Sequence, residues 1–190
     1  MKLKIYIFRH GETYYNEDHI FTGWKDSRLT PEGIKQARVV AKKLKNKRFE
    51  VAFCTHLSRS KDTLKEVLKY HKNVKVIEDD RMIERGYGKL QGKSHRVFIK
   101  KYGEKRFDMY HRSYYVSPPK GESIKMVEKR VLSFIKDLLK MMKREKVNVV
   151  ISAHGNSMRP FRRYFEKLTI KQMMELENPW DDYFEYTIEV

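Results

Sequence analysis

Cysteine is nearly missing from this chain. The lone thiol, Cys54, excludes an internal disulfide framework, and its setting in the apolar stretch VAFCT (51–55) reads as a small buried hydrophobe. No uninterrupted apolar run of about 18 residues occurs, so a membrane-spanning helix is excluded. The opening MKLKIYIFRHGE has neither a long apolar core nor a small-residue cleavage site, and the protein is expected to be soluble and cytoplasmic. Internal repeats and low-complexity tracts are absent. So are the Asp-x-Asp or His-x-His clusters of a two-metal site and the GxxxxGK loop of a nucleoside triphosphate site. Acidic charge is the scarce sign: 25 Asp and Glu stand against 42 Lys and Arg, for a net charge of +17. Such a chain attracts anions. Charge alone does not choose among a small phosphorylated metabolite, nucleic acid and an acidic membrane surface, but the spread of the cations along the whole length argues against specific nucleic-acid binding.

What the chain does have is alternation. With 190 residues and 40% hydrophobic content it can bury one core, and a single domain over 1–190 is expected. KLKIYIF (2–8), FEVAFCT (49–55), VKVIE (74–78) and VNVVISA (147–153) read as strands. Helical spacing follows at Ile34, Ala37, Ala41 and Leu44, with Thr30 as a cap and Pro31 in the first turn. Further helices are expected over 58–71 and 122–142. The spacing predicts an α/β three-layer sandwich, a mainly parallel sheet flanked by helices. Residues 80–121 break the rhythm and read as a substrate-facing excursion with a short helix.

Two of the strand-like runs end on His-Gly, as FRHGE (8–12) and SAHGN (152–156). In open α/β sheets ligands collect at the carboxyl ends of parallel strands, so His10 and His154 can face one pocket. Glycine after each histidine permits a tight turn that presents backbone N–H groups to an anion. Arg9 adjoins the first imidazole, Arg59 sits near the start of the second helix, and Glu84 is the carboxyl candidate in the excursion. Together these supply a nucleophile, a cage for phosphoryl oxygens and a proton donor.

RHGET followed by Asn16, then FTGWKDSRLTPEG, LSRSKDT, ERGYGKLQG, YHRSYYVSPP and AHGNSMR, in that order, resemble the histidine phosphatase superfamily and its cofactor-dependent phosphoglycerate mutase branch. The resemblance covers about residues 3–165. It implies a phosphoglycerate mutase-like fold with His10 as the phosphorylated residue, Glu84 as general acid and base, and Arg9, Arg59 and a positively charged His154 around the phosphoryl group. Asn16, Thr22, Gly23, Arg85, Tyr87, Gly155 and Asn156 are implied near substrate. So are the positions of His95, His111 and Arg112, where the branch normally carries a lysine and a Trp-Arg-Arg set. Only Arg112 keeps the branch's residue. The implied cofactor is 2,3-bisphosphoglycerate, as phosphoryl primer, with no metal, and a homo-oligomer is possible. The implied activity is glycolytic and gluconeogenic interconversion of 3- and 2-phosphoglycerate. The alternative is hydrolysis of small phosphomonoesters through the same phosphohistidine.

Overall fold

The computed structural model describes residues 1–190. In chain order its elements are β1 (Lys2–Arg9), α1 (Tyr14–Glu17), α2 (Pro31–Leu44), β2 (Val51–Cys54), α3 (Ser58–Leu68) and β3 (Lys75–Glu78). These are followed by α4 (His95–Tyr102), α5 (Glu104–Arg112), α6 (Ile124–Glu145), β4 (Val149–Ala153), α7 (Gly155–Glu166), α8 (Ile170–Glu175) and β5 (Tyr183–Glu189). The sheet order is β3-β2-β4-β1-β5, parallel except for β5, which runs antiparallel to β1.

Central strands of such a sheet are buried on both faces. Along β1, Leu3, Ile5 and Ile7 join the larger core cluster with Val127, Val131, Phe134 and Leu138 of α6 and Met158 and Phe161 of α7. Tyr6 and Phe8 point the other way and pack with Val40, Ala41 and Leu44 of α2 and Leu64 and Val67 of α3. Each fully buried Val, Leu, Ile, Phe or Met among these contributes about 1.5–3 kcal/mol over its exposed state. Strand alternation therefore dictates three layers. Cys54 is buried in the second cluster, and burial raises its thiol pKa.

The four expected strands and three expected helices are all present. Thr30 caps α2 as read, accepting from the Gly33 N–H. The helix expected over 58–71 stops at Leu68, and the one expected over 122–142 spans 124–145. Three differences stand out. The strand β5 was not foreseen, although Phe184, Tyr186 and Ile188 alternate inward along it. Helix α7, directly after the second His-Gly, was not among the three expected helices. The excursion holds two α-helices, α4 and α5, where one short helix was expected. They are separated by Gly103, whose φ of 84° is left-handed backbone that glycine adopts without strain. A third apolar cluster of Phe21, Tyr87, Leu90 and Phe98 fastens this segment together.

Candidate active site

Strand register builds the site. In the parallel β1–β4 ladder Arg9 stands opposite Ala153, so the next residue on each strand, His10 and His154, leaves the sheet at the same end. The His10 N–H donates to the Ala153 carbonyl at 3.0 Å, and the two imidazole rings lie 5.0 Å apart, centroid to centroid. Both are buried. His10 Nδ1 lies 2.7 Å from the Gly11 carbonyl, which can only accept, so the ring proton is on Nδ1 and the Nε2 lone pair is free. His154 Nε2 pairs with the Thr55 hydroxyl at 2.8 Å, while its buried Nδ1 has no partner in the protein. Gly11 cannot carry a side chain, because a Cβ would lie 2.2 Å from the Gly33 carbonyl oxygen.

Burial, then the Arg59 and Arg9 charges, hold His10 well below the ordinary histidine pKa. Burial, then Arg59 and His10, do the same to His154. In the free site burial, and then the charges of buried Arg59 and half-buried Arg9, disfavour the cationic form of both rings; the cationic His154 that the resemblance implies belongs to the phosphate-bound site.

Arg59 is fully buried and aimed by donating to the Gly23 and Lys25 carbonyls at 2.7 and 2.8 Å; burial lowers its pKa to about 10. Arg9 donates to the Asn178 carbonyl at 3.2 Å and lies over the Trp180 ring at 4.8 Å, but its buried Nε has no partner. Glu84 is buried, and its Oε1 accepts the N–H groups of Arg85 at 2.7 Å and Asn156 at 3.2 Å. Its carbonyl accepts from Trp24 Nε1 and from Arg130, which fixes the backbone that carries the carboxyl.

His10, Arg9, Arg59 and Glu84 line a cleft with two adjoining lobes, and the fully buried His154 packs beside His10 without lining either. The inner lobe, about 120 Å³, is walled by His10, Arg9, Arg59 and Glu84 together with Asn16, Thr22, Gly23, His95 and His111. The outer lobe, about 140 Å³, is walled by Arg112, Gly155, Arg159, Met174, Glu177 and Asn178. Arg9, Glu84, Tyr87, His111 and Asn156 border both. Asn16 also closes the capping box of α1 through its Oδ1, which accepts from Thr13. Gly23 has φ of 54°, and a Cβ there would meet Gln91 Oε1 at 2.3 Å.

Three residues expected near substrate have surroundings that change their reading. Arg85 borders neither lobe. Its buried guanidinium is consumed by the Glu122, His111 and Val116 carbonyls at 2.7, 3.2 and 3.0 Å, so it pins the excursion instead of meeting a ligand. His95 and His111 do border the cleft, but they sit in an aromatic stack with Phe21 and Phe107, and burial lowers each to about 4. They are neutral walls at pH 7. The sequence reading missed Thr55, Arg159, Asn178 and Trp180. Arg159 was the most accessible of these, since it ends the AHGNSMR motif and falls on the helical face of Gly155 and Asn156.

Neutral imidazoles and guanidiniums without carboxylate partners, gathered at the carboxyl ends of parallel strands, define a class of enzyme that binds and transfers a phosphoryl group. The family model for "Histidine phosphatase superfamily (branch 1)" matches residues 5–187, and the chain belongs to that family. It is 37% identical to the 2,3-bisphosphoglycerate-dependent phosphoglycerate mutase of Parvibaculum lavamentivorans, over 90% of this chain and 83% of that one. It is also 37% identical to a phosphoglycerate mutase of Schizosaccharomyces pombe, with the same coverage. Among solved structures, an Escherichia coli putative alpha-ribazole-5'-P phosphatase superposes with a TM-score of 0.87 at 21% identity, covering 98% of this chain and 91% of that one. A Bacillus anthracis phosphoglycerate mutase superposes with a TM-score of 0.77 at 19% identity, covering 99% and 88%. These two likenesses concern the fold. No group of three or more His, Cys, Asp or Glu side chains is arranged to hold a metal ion, and no helix is long and apolar enough to cross a membrane.

Proposed function

We propose that this protein is a 2,3-bisphosphoglycerate-dependent phosphoglycerate mutase that interconverts 3- and 2-phosphoglycerate through a phosphohistidine at His10. The observation that carries the chemistry is the pair of orphaned buried nitrogens, Arg9 Nε and His154 Nδ1, beside a histidine whose Nε2 lone pair is free. A phosphoryl group on His10 is the partner that this reading supplies to them. The substrate assignment draws its support from the mutases at 37% identity over nearly the whole chain.

In this reading His10 Nε2 attacks phosphorus in line, the N–P bond forms as the P–O bond to the leaving alkoxide breaks, and one hard transfer becomes two easier ones. Arg9, Arg59 and His154 surround the equatorial oxygens; the dianion makes protonation of His154 favourable where the free site forbids it. Glu84 hands a proton to the leaving oxygen and retrieves one from the hydroxyl that attacks in the return step. Asn16, Thr22, Gly23, Tyr87, Gly155 and Asn156 bound the substrate. When bound, 2,3-bisphosphoglycerate supplies the phosphoryl group that primes His10. The cage compensates phosphoryl charge with side chains and calls for no metal. Residues 1–190 act as one catalytic domain of cytoplasmic glycolysis and gluconeogenesis, with 80–121 as its substrate-facing excursion.

A second reading, a phosphomonoesterase with the same phosphohistidine, is favoured by one observation: His95 and His111 are neutral where the mutase branch carries cations. Incubation with 3-phosphoglycerate, with and without 2,3-bisphosphoglycerate, separates the two. Bisphosphate-dependent 2-phosphoglycerate supports the mutase; free phosphate without isomer overturns it.

A further inference from the structure

Most buried or half-buried arginines outside the cleft find carboxylates; Arg85 instead spends its guanidinium on three backbone carbonyls. Arg81 holds Asp79 and Asp137, Arg130 holds Glu122, Arg162 holds Glu166 and Arg163 holds Glu128. Arg159 is half-buried too, yet no carboxylate lies within 4.0 Å of it. Glu177 borders the same lobe from the exposed rim without pairing to it. A cation taken partly out of water without a counter-ion is costly unless a ligand supplies the missing charge.

Its position is fixed. Helix α7 presents Arg159 three residues after Asn156 and four after Gly155, hence on the face that lines the outer lobe. One guanidinium nitrogen donates to the Met173 and Met174 carbonyls near the end of α8, and no other hydrogen bond engages the group. The outer lobe adjoins the phosphoryl lobe through Glu84, Tyr87 and Asn156. The exposed Arg112 lines the same outer lobe as Arg159.

We propose that Arg159 is the specificity-determining cation that recognises the carboxylate of phosphoglycerate, assisted by Arg112. This inference rests on the mutase reading for the identity of the acid. Planar guanidinium and planar carboxylate match in geometry, and a charge-assisted pair in a half-buried lobe is strong enough to select an acid from a neutral analogue.

The test compares 3-phosphoglycerate with glycerol 3-phosphate, which replaces the carboxylate by a hydroxymethyl group, in calorimetric titrations. A His10→Ala background stops phosphoryl transfer. The expected result is tighter binding of the acid by the parent, with Arg159→Gln weakening the acid about tenfold or more and glycerol 3-phosphate less than about twofold. Arg159→Lys should recover part of the loss. No preference for the acid in the parent, an undiminished preference in Arg159→Gln, or equal weakening of both ligands overturns the proposal. Isomerisation by the unaltered protein is measured separately. Its absence, with the carboxylate preference still mapping to Arg159, rejects the mutase activity and leaves the recognition role standing.

Discussion

The nucleophilic role proposed for His10 rests on what its other nitrogen does. The Gly11 carbonyl holds the Nδ1 proton, and burial beside Arg59 and Arg9 keeps the ring neutral in the free site. Protonation would remove the attacking lone pair, so the acid limb of kcat/KM should fall below the ordinary 6.5, and a limb at or above 6.5 contradicts the assignment. His10→Ala should abolish both turnover and acid-labile phosphate labelling of the protein. Glu84→Gln keeps an oxygen for the Arg85 and Asn156 N–H groups but cannot donate the proton. Turnover of phosphoglycerate should drop by about 10²–10⁴. Transfer from p-nitrophenyl phosphate, whose leaving group needs no proton, should drop far less, and equal losses would remove the acid role. At this scale the sequence was readable where one residue's chemistry sufficed: His10, Arg9, Arg59 and Glu84 share one cleft, and His154 packs against His10. It misled where environment decides. Nothing in the letters distinguishes Arg85, spent on three carbonyls, from Arg159, left without a carboxylate.

Buried elements were readily legible, and the exposed edge strand β3 was read from its β-branched residues. The strands β1, β2 and β4 are apolar runs because both faces are covered, and α2, α3 and α6 carry clean apolar stripes. The half-exposed edge strand β5 mixes polar and apolar residues, and α7 mixes a core stripe with arginines that serve the cleft and the ion pairs beneath it. Both were hidden for that reason. The excursion is held by cations instead of a sheet. Arg130 donates to the Arg81, Ile83 and Glu84 carbonyls and to Glu122, bridging the backbone around the active-site carboxyl to α6. Arg130→Met would strand those carbonyls and the Glu122 charge, costing about 3 kcal/mol. Denaturant melts should show that loss, and kcat should fall because Glu84 loses its backbone anchor; unchanged kcat would show the anchor to be dispensable.

Across the whole molecule the dominant facts are charge and buried histidine. A net charge of +17 should draw trianionic phosphoglycerate from a distance, so kcat/KM should decline several-fold as salt rises from low to physiological strength, mainly through KM. A salt-independent KM would show that the surplus lysines do not reach the cleft electrostatically. His10, His154, His95 and His111 all have lowered pKa values in the fold. The unfolded chain takes up protons below about 6.5 that the fold refuses, so stability is complete above that pH and is lost as pH falls toward 4. Each refused proton contributes a slope of up to about 1.4 kcal/mol per pH unit, and Tm should drop between pH 7 and pH 5. The small apolar cluster of Phe21, Tyr87, Leu90 and Phe98 has a further consequence. Because the segment that contains it is fastened to the sheet layers through arginine–carbonyl bonds, it can detach as a unit while β1 and β4 stay shut. Amide hydrogens of 88–112 should exchange with deuterium together, well ahead of those in the strands, and bound phosphoglycerate should slow the first group alone.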